Sequence, residues 1–317
     1  MLKKIALEEH FLSPGVIDYW TPTVAELDRN KADVLFRRVT DFGEQRLAVM
    51  DAAGIERAVL SIAGPGVQAE SVVATATRKA KESNDYLARE IQAQPRYLGF
   101  GHLAMQDPEG AAEELERCVK ELQLCGAMIN GHTRGVYLDE RVYDVFWERV
   151  EALEMPIYIH PSDPVVPAPV LDGYPVLRRA TWEWGFETGS HMLRLVFGGV
   201  FDRFPGVRII LGHLGESLPY LLSRFDSRAG PGFYDAGLKK LPSQYLTHNL
   251  WVTTSGMLSQ DPLYCSVSAL GADRVMFAAD YPFEKAEEAG YFLDTVRLEE
   301  GLRADIAFRN AERLLSL

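Results

Sequence analysis

Eight short apolar runs punctuate this chain, and between them the apolar spacing changes to that of helices. The runs are KIAL at 4–7, RAVLSI at 57–62, YLGFGHL at 97–103, GAMIN at 126–130, PIYIH at 156–160, RIILGH at 208–213, WVTTSG at 251–256 and VMFAAD at 275–280. Continuous apolar runs of this kind suit strands buried on both faces, as in a parallel sheet. Leu47, Met50 and Ala53 lead to Gly54, a helix stop; Leu115, Cys118, Val119 and Leu122 follow an Asp107-Pro108 start. Val142, Val145, Phe146 and Val150 precede the fifth run, and Ala307, Ala311, Leu314 and Leu315 make a closing helix. Eight alternations of strand and helix predict an α/β fold, a (β/α)8 TIM barrel, as one domain over residues 1–317. The length is no obstacle, since such barrels commonly run to ~250 residues or more as one domain. Two stretches rich in turn residues, 11–41 and 160–181, are expected to be loops over the barrel mouth.

Charge narrows the partners. Lys and Arg total 33 against 45 Asp and Glu, a net charge of −12, so nucleic acid and anionic membrane surfaces are poor candidates. No apolar run reaches the ~18 residues of a membrane span, and the opening MLKKIALEEH is too short in apolar residues for a signal peptide. The three cysteines, Cys118, Cys125 and Cys265, form no CxxC pattern and read as reduced thiols. A cytoplasmic protein is the expectation.

In a barrel of this type the active site lies at the C-terminal ends of the strands. Here those ends carry groups that are costly to bury: Glu8, Glu9 and His10 after the first run, His160 after the fifth, His213 after the sixth, Asp280 after the eighth. Alternation along a strand sends Glu8 and His10 the same way and Glu9 the other. Glu8, His10, His160 and Asp280 can therefore converge, and two imidazoles with two carboxylates suit one divalent Zn²⁺ or Mn²⁺. A single histidine at a strand end is usually a hydrogen-bonded structural residue; four such groups on neighbouring strands favour a metal.

Other candidates compete with plainer roles. Glu216 follows His213 by three residues in LGHLGESLPY and is placed to hold its tautomer for proton transfer; otherwise it is a carboxylate at a helix start. Asn130 and His132, with His102, stand where they line a pocket or cap strands. Glu187 and His191 read as a surface or supporting pair. Trp182 and Trp184 wall an aromatic pocket or belong to the core. Gly64-Pro65-Gly66 is a turn, since no phosphate-binding pattern surrounds it.

LEEH at 7–10, IHP at 159–161, ETGSHMLRL at 187–195, LGHLGESLPY at 211–220, TTSG at 253–256, DYPFE at 280–284 and NAERLL at 310–315 occur in that order. Together they resemble the amidohydrolase-related decarboxylases, the group that includes γ-resorcylate, 2,3-dihydroxybenzoate, 5-carboxyvanillate and aminocarboxymuconate semialdehyde decarboxylases. The resemblance spans nearly the whole chain. It implies an amidohydrolase-type barrel with one divalent metal on Glu8, His10, His160 and Asp280, and His213 with Glu216 as a relay beside Asp280. It also implies a homo-oligomer, dimer or tetramer, in which Arg224 reaches a neighbour's active site. Glu8 stands where amidohydrolases usually carry the first His of HxH, a form shared with the γ-resorcylate type. The fourth strand ends without a lysine, which favours one metal over two.

The implied reaction is non-oxidative decarboxylation of a hydroxylated aromatic acid, a small aromatic carboxylate held through its carboxylate and adjacent hydroxyl. Asp280 is the expected proton donor, with His213 the alternative, and Asn130, His132 and Arg224 are the expected substrate-binding residues. The same ligand set also suits a hydrolase of lactones or amides.

Overall fold

The computed structural model describes residues 1–25, 27–229 and 234–317. Its strands are β1 (Lys4–Phe11), β2 (Ile55–Ile62), β3 (Tyr97–Gly99), β4 (Gly101–His102), β5 (Ala127–Asn130), β6 (Pro156–His160), β7 (Arg208–Leu211), β8 (Leu250–Thr253) and β9 (Val275–Met276). Each of the eight sequence runs contributes. The third is broken into β3 and β4 at Phe100, whose N–H donates instead to Leu60 O on β2. All pairings are parallel and sequential: β1-β2-β3 form one ladder and β4 to β9 another. Hydrogen bonds across the remaining seam run from Leu7 N–H to Phe277 O and from His10 N–H to Tyr281 O. The fold is an α/β barrel of the TIM type.

Alternation along the strands divides the apolar residues into two layers. Ile5, Leu7, Val59, Phe100, Met128, Tyr158, Ile210 and Met276 fill the barrel interior, and Ala311, Leu314 and Leu315 of the last helix pack against them. Their neighbours, among them Ala6, Ala58, Ile129, Ile157, Ile209, Val252 and Phe277, face the surrounding helices. Helix ends follow the expected chemistry. The helix Glu44–Ala53 stops at Gly54, which adopts φ +71° where a side chain would be strained. Asp107 caps the helix Pro108–Lys120 by accepting from Gly110 N–H.

Three expectations need correcting. The stretch 11–41 is largely helical: β1 runs on to Phe11, short turns follow, and an α-helix spans Arg29–Val39 with Asp28 as its N-cap. Ala32, Leu35, Phe36 and Val39 stand at helical spacing on it, with Val39 fully buried and Ala32 and Leu35 packed against the core; residue 26 lies outside the described residues. On the helix Asp144–Leu153 the buried residues are Phe146, Trp147 and Val150, while Val142 and Val145 are exposed. His191 is not a surface residue: it is buried and its Nε2 accepts from Leu138 N–H at 3.0 Å. The stretch 160–181, by contrast, holds only short 3-10 turns and exposes Val165, Val166, Val170, Tyr174 and Val176. Among the described residues no helix is long and apolar enough to cross a membrane.

Candidate metal centre and active site

The site begins with an irregularity in β1. Ala6 pairs with Ala58 but Glu9 with Leu60, so β1 spends one more residue than β2 over this stretch. Such a bulge shifts the alternation by one. Leu7 faces the barrel interior beside Tyr158, and Glu8 meets Tyr158 as well, accepting a hydrogen bond from its hydroxyl. Without the bulge, an inward Leu7 would send Glu8 and His10 outward. Thr253 Oγ1 lies 2.9 Å from the Tyr158 hydroxyl and 3.4 Å from Glu8 Oε2, so this oxygen is tied to the barrel wall. A Cβ on Gly212 would come within 2.8 Å of the same oxygen, which makes glycine the residue that fits there.

Glu8 Oε1 is left facing the strand ends. It lies 3.6 Å from His160 Nε2, and His10 Nε2 lies 3.3 Å from Asp280 Oδ1. Glu8 Oε1, His10 Nε2 and Asp280 Oδ1 are buried and have no hydrogen-bond partner. Ligand atoms of Glu8, His10 and His160 lie within 4.8 Å of one another, as do those of Glu8, His213 and Asp280. Buried polar atoms are rarely left unpaired, so this cluster of orphans is what a cation would satisfy. The imidazoles are prepared for it. His160 Nδ1 donates to Pro161 O at 2.9 Å, which leaves the Nε2 lone pair free. Burial holds both His10 and His160 down to a pKa of about 4, hence neutral at pH 7.

The carboxylates are driven apart. Burial works to raise Glu8, but the charge of His213, foremost among the opposing influences, and the hydrogen bond from Tyr158 help to lower its pKa. Asp280 is pushed up to about 8, first by burial and then by the charge of Glu8. His213 is pushed up to about 10: burial opposes the proton, but Glu216, Glu8 and Asp280 together hold it. His213 Nδ1 and Glu216 Oε1 are 2.7 Å apart.

This pair rests on unusual backbone. His213, Leu214, Gly215, Glu216 and Ser217 all have positive φ, from 50° to 86°, a turn of left-handed helix. Four of the five are not glycine, and each costs roughly 1–2 kcal/mol in that region. The turn is held by Gly215 N–H to Gly212 O, by the Ser266 hydroxyl on Leu214 O, and by the burial of Leu214 and Leu218. Close packing adds to this, since a Cβ on Gly189 would meet Glu216 O at 3.2 Å. Asp280 is also left-handed, at φ +60°. Strain of this kind persists where surrounding structure over-determines it, commonly at active sites.

The remaining candidates separate. Asn130 pairs in register with His160, is buried, and both atoms of its side-chain amide lack partners. His132 has both ring nitrogens engaged, Nδ1 by Gly135 N–H and Nε2 by Asp163 O. His102 accepts from Val67 N–H and is structural. Trp182 is exposed, and Trp184 donates to Asp163. Arg224 is exposed on the helix Leu222–Ala229. Sequence reasoning did not find Tyr158, Thr253 or Phe283, whose ring lies 5.4 Å from that of His10. Thr253, within TTSG, and Phe283, within DYPFE, stood in recognisable motifs, whereas Tyr158 stood only inside the fifth apolar run.

A strained barrel mouth with orphaned ligand atoms defines a metal-dependent enzyme of the amidohydrolase type, and the chain belongs to the amidohydrolase family, whose model matches residues 17–317. It is similar to a γ-resorcylate decarboxylase of Polaromonas sp., 39% identical over 99% of this chain and 98% of the relative. A γ-resorcylate decarboxylase of Rhodococcus jostii is also 39% identical, over 100% and 99% of the two chains. Among solved structures, a dihydroxybenzoic acid decarboxylase from Polaromonas sp. with bound manganese and the inhibitor 2-nitroresorcinol superposes with a TM-score of 0.92 at 38% identity, covering 100% and 98% of the two chains. A 2,6-dihydroxybenzoate decarboxylase in complex with 2,6-dihydroxybenzoate does so with a TM-score of 0.92 at 37% identity, covering both chains fully.

Proposed function

We propose that this protein is a metal-dependent carboxy-lyase that decarboxylates a hydroxylated aromatic acid of the dihydroxybenzoate kind. The observation that carries the reading is the convergence of buried, unpartnered Glu8 Oε1, His10 Nε2 and Asp280 Oδ1 at a barrel mouth, in a chain whose full-length relatives are decarboxylases. Those relatives favour lyase chemistry over the hydrolytic alternative. Glu8, His10, His160 and Asp280 would hold one divalent cation, manganese as in the solved relative or zinc. When bound, such a cation fixes the substrate through its carboxylate and adjacent hydroxyl and withdraws charge from both.

The chain's own groups then do the proton work. Asp280 is the proposed carrier of the proton, delivered to the ring carbon that bears the carboxylate, with His213 beside it as the alternative donor. A ring π pair forms that C–H bond. The C–C bond to the carboxylate then breaks, its electron pair returns to the ring, and carbon dioxide leaves. His213, held as a cation by Glu216, favours recharging of Asp280 as an anion after transfer. The unpartnered amide of Asn130 offers a donor and an acceptor to a ring hydroxyl. His132 has both ring nitrogens engaged, by Gly135 and Asp163, and so offers no free polar atom to the substrate.

The reading includes one barrel domain over residues 1–317, a cytoplasmic setting in keeping with three free cysteines, and a homo-oligomer that carries Arg224 to a neighbour's substrate. One experiment tests metal site and assembly together. His160→Ala is expected to lose bound metal and carbon dioxide release from dihydroxybenzoates. Mixed with Arg224→Ala, which should keep metal but turn over poorly, it should recover activity once mass spectrometry shows subunit exchange. Full metal occupancy in His160→Ala removes that residue from the site, and exchange without recovery ends the shared-site idea.

A further inference from the structure

Glu9 is the member of the Glu8-Glu9-His10 triplet left without a task, although it is buried at 3% exposure. It leaves β1 on the face opposite Glu8 and His10, into the space between barrel and helices beside Met50, Ala58 and Tyr281. There its two oxygens divide. Oε1 accepts from Ala279 N–H at 2.9 Å and Oε2 from Tyr281 N–H at 3.3 Å. The residue between those amides is Asp280, in its left-handed conformation.

The location gives this bridge its weight. β9 ends at Met276, and β1 and β9 belong to separate ladders, so beyond Phe277 the segment that carries Asp280 is held to the β1 backbone by His10 N–H on Tyr281 O and not by a ladder. Arg46 braces the arrangement from behind: buried, it donates to His10 O at 2.7 Å, and its guanidinium stands 5.0 Å from the Tyr281 ring. A carboxyl group of this length reaches both amides, one with each oxygen; burial pushes its pKa up to about 8 against the pull of those amides and Arg46. Glutamine would turn an N–H₂ toward one backbone N–H, and aspartate is one methylene short.

We propose that Glu9 is a positioning residue whose carboxylate clamps the backbone on both sides of Asp280 and so aims Oδ1 at the metal-binding point. This rests on the reading of Asp280 as ligand and proton donor. The test is manganese affinity of metal-stripped protein by equilibrium dialysis, with kcat and KM at saturating manganese, for Glu9→Gln, Glu9→Ala, Asp280→Asn and Glu114→Gln. Glu114 is a buried carboxylate bonded to Asn84 and Arg117, away from the site, and controls for general loosening.

Expected is a roughly 10- to 100-fold loss of manganese affinity in Glu9→Gln, the usual range for a group that orients a ligand. Glu9→Ala should lose more, kcat should fall with little change in KM, and Glu114→Gln should bind manganese like the parent. If Glu9→Ala does not fold, Glu9→Gln decides. Parental affinity and kcat in Glu9→Gln, with Asp280→Asn impaired, overturn the clamp and leave the ligand assignment standing. An equal loss in Glu114→Gln also overturns it. Full affinity in Asp280→Asn overturns the assignment itself, and the clamp with it.

Discussion

The two ends of the barrel are built on opposite terms. Toward the closing helix, Ile5, Met128, Ile210 and Met276 pack with Ala311, Leu314 and Leu315, and the buried Lys4 at the start of β1 is paired with Asp294. Where the strands end, Glu8, Glu9, His10 and His160 are buried, unpaired atoms remain, and six residues at 213–217 and 280 hold positive φ. Apart from that ion pair, the first end asks for volume and apolarity, which many sequences satisfy. The second needs particular atoms at particular points, and it contributes strain in place of stability. One end holds the other in shape.

That contrast can be broken at either end. Phe100→Ala, in the interior layer, is expected to cost about 3–5 kcal/mol in denaturant unfolding while the folded fraction binds manganese with parental affinity. A matching loss of metal affinity would mean that the ends are coupled and the contrast too sharp. His213→Asn should keep metal and lose at least ~100-fold in kcat. Its melting temperature should stay close to the parent's, since asparagine tolerates left-handed backbone better than most residues. An unchanged rate would return His213 to a structural role, and a collapse in stability would show that the mouth supports the fold.

The smallest expected effect concerns acid. Burial holds His191 down to about 3, against an ordinary value of 6.5. Below 6.5 the unfolded chain takes up a proton that the folded chain refuses, so stability drains as pH falls from 6.5 toward 3. His213 has the reverse sign: raised to about 10, it stabilises fully below 6.5, and that contribution is lost as pH rises through 10. His191→Gln should therefore flatten the loss of stability between pH 6.5 and 4, read by denaturation at fixed pH. An unaltered slope would mean that other groups govern acid unfolding.

The strands and the four convergent groups were legible because each rests on a local signal: a buried apolar run, and a polar residue where it stops. Counting from Glu8 to His10 gave the right faces, yet counting from Ile5 would have reversed them, because the bulge between Ala6 and Glu9 leaves no mark in composition. The left-handed turn was hidden for a related reason. Gly212 and Gly215 hinted at close approach, but His213, Leu214, Glu216 and Ser217 owe their backbone to tertiary contacts with Ser266 and with the helix Glu183–Phe197. The helix Arg29–Val39 did carry a signal, Ala32, Leu35, Phe36 and Val39 at helical spacing, which the turn residues around it masked.

The seam between β1 and β9 has a consequence for how the chain comes together. β1 is made first, and its partner on that side comes some 270 residues later. Until then one flank of β1 lies open, an edge able to pair with strands of other molecules. Lys4, Glu8 and Glu9 stand along it, and charges on an open strand edge discourage such pairing. In the finished barrel Lys4 is neutralised by Asp294 and Glu9 receives the amides of Ala279 and Tyr281. Glu9, one of the charges that discourage pairing along the open edge, is thus also the one that later receives the turn after the last strand.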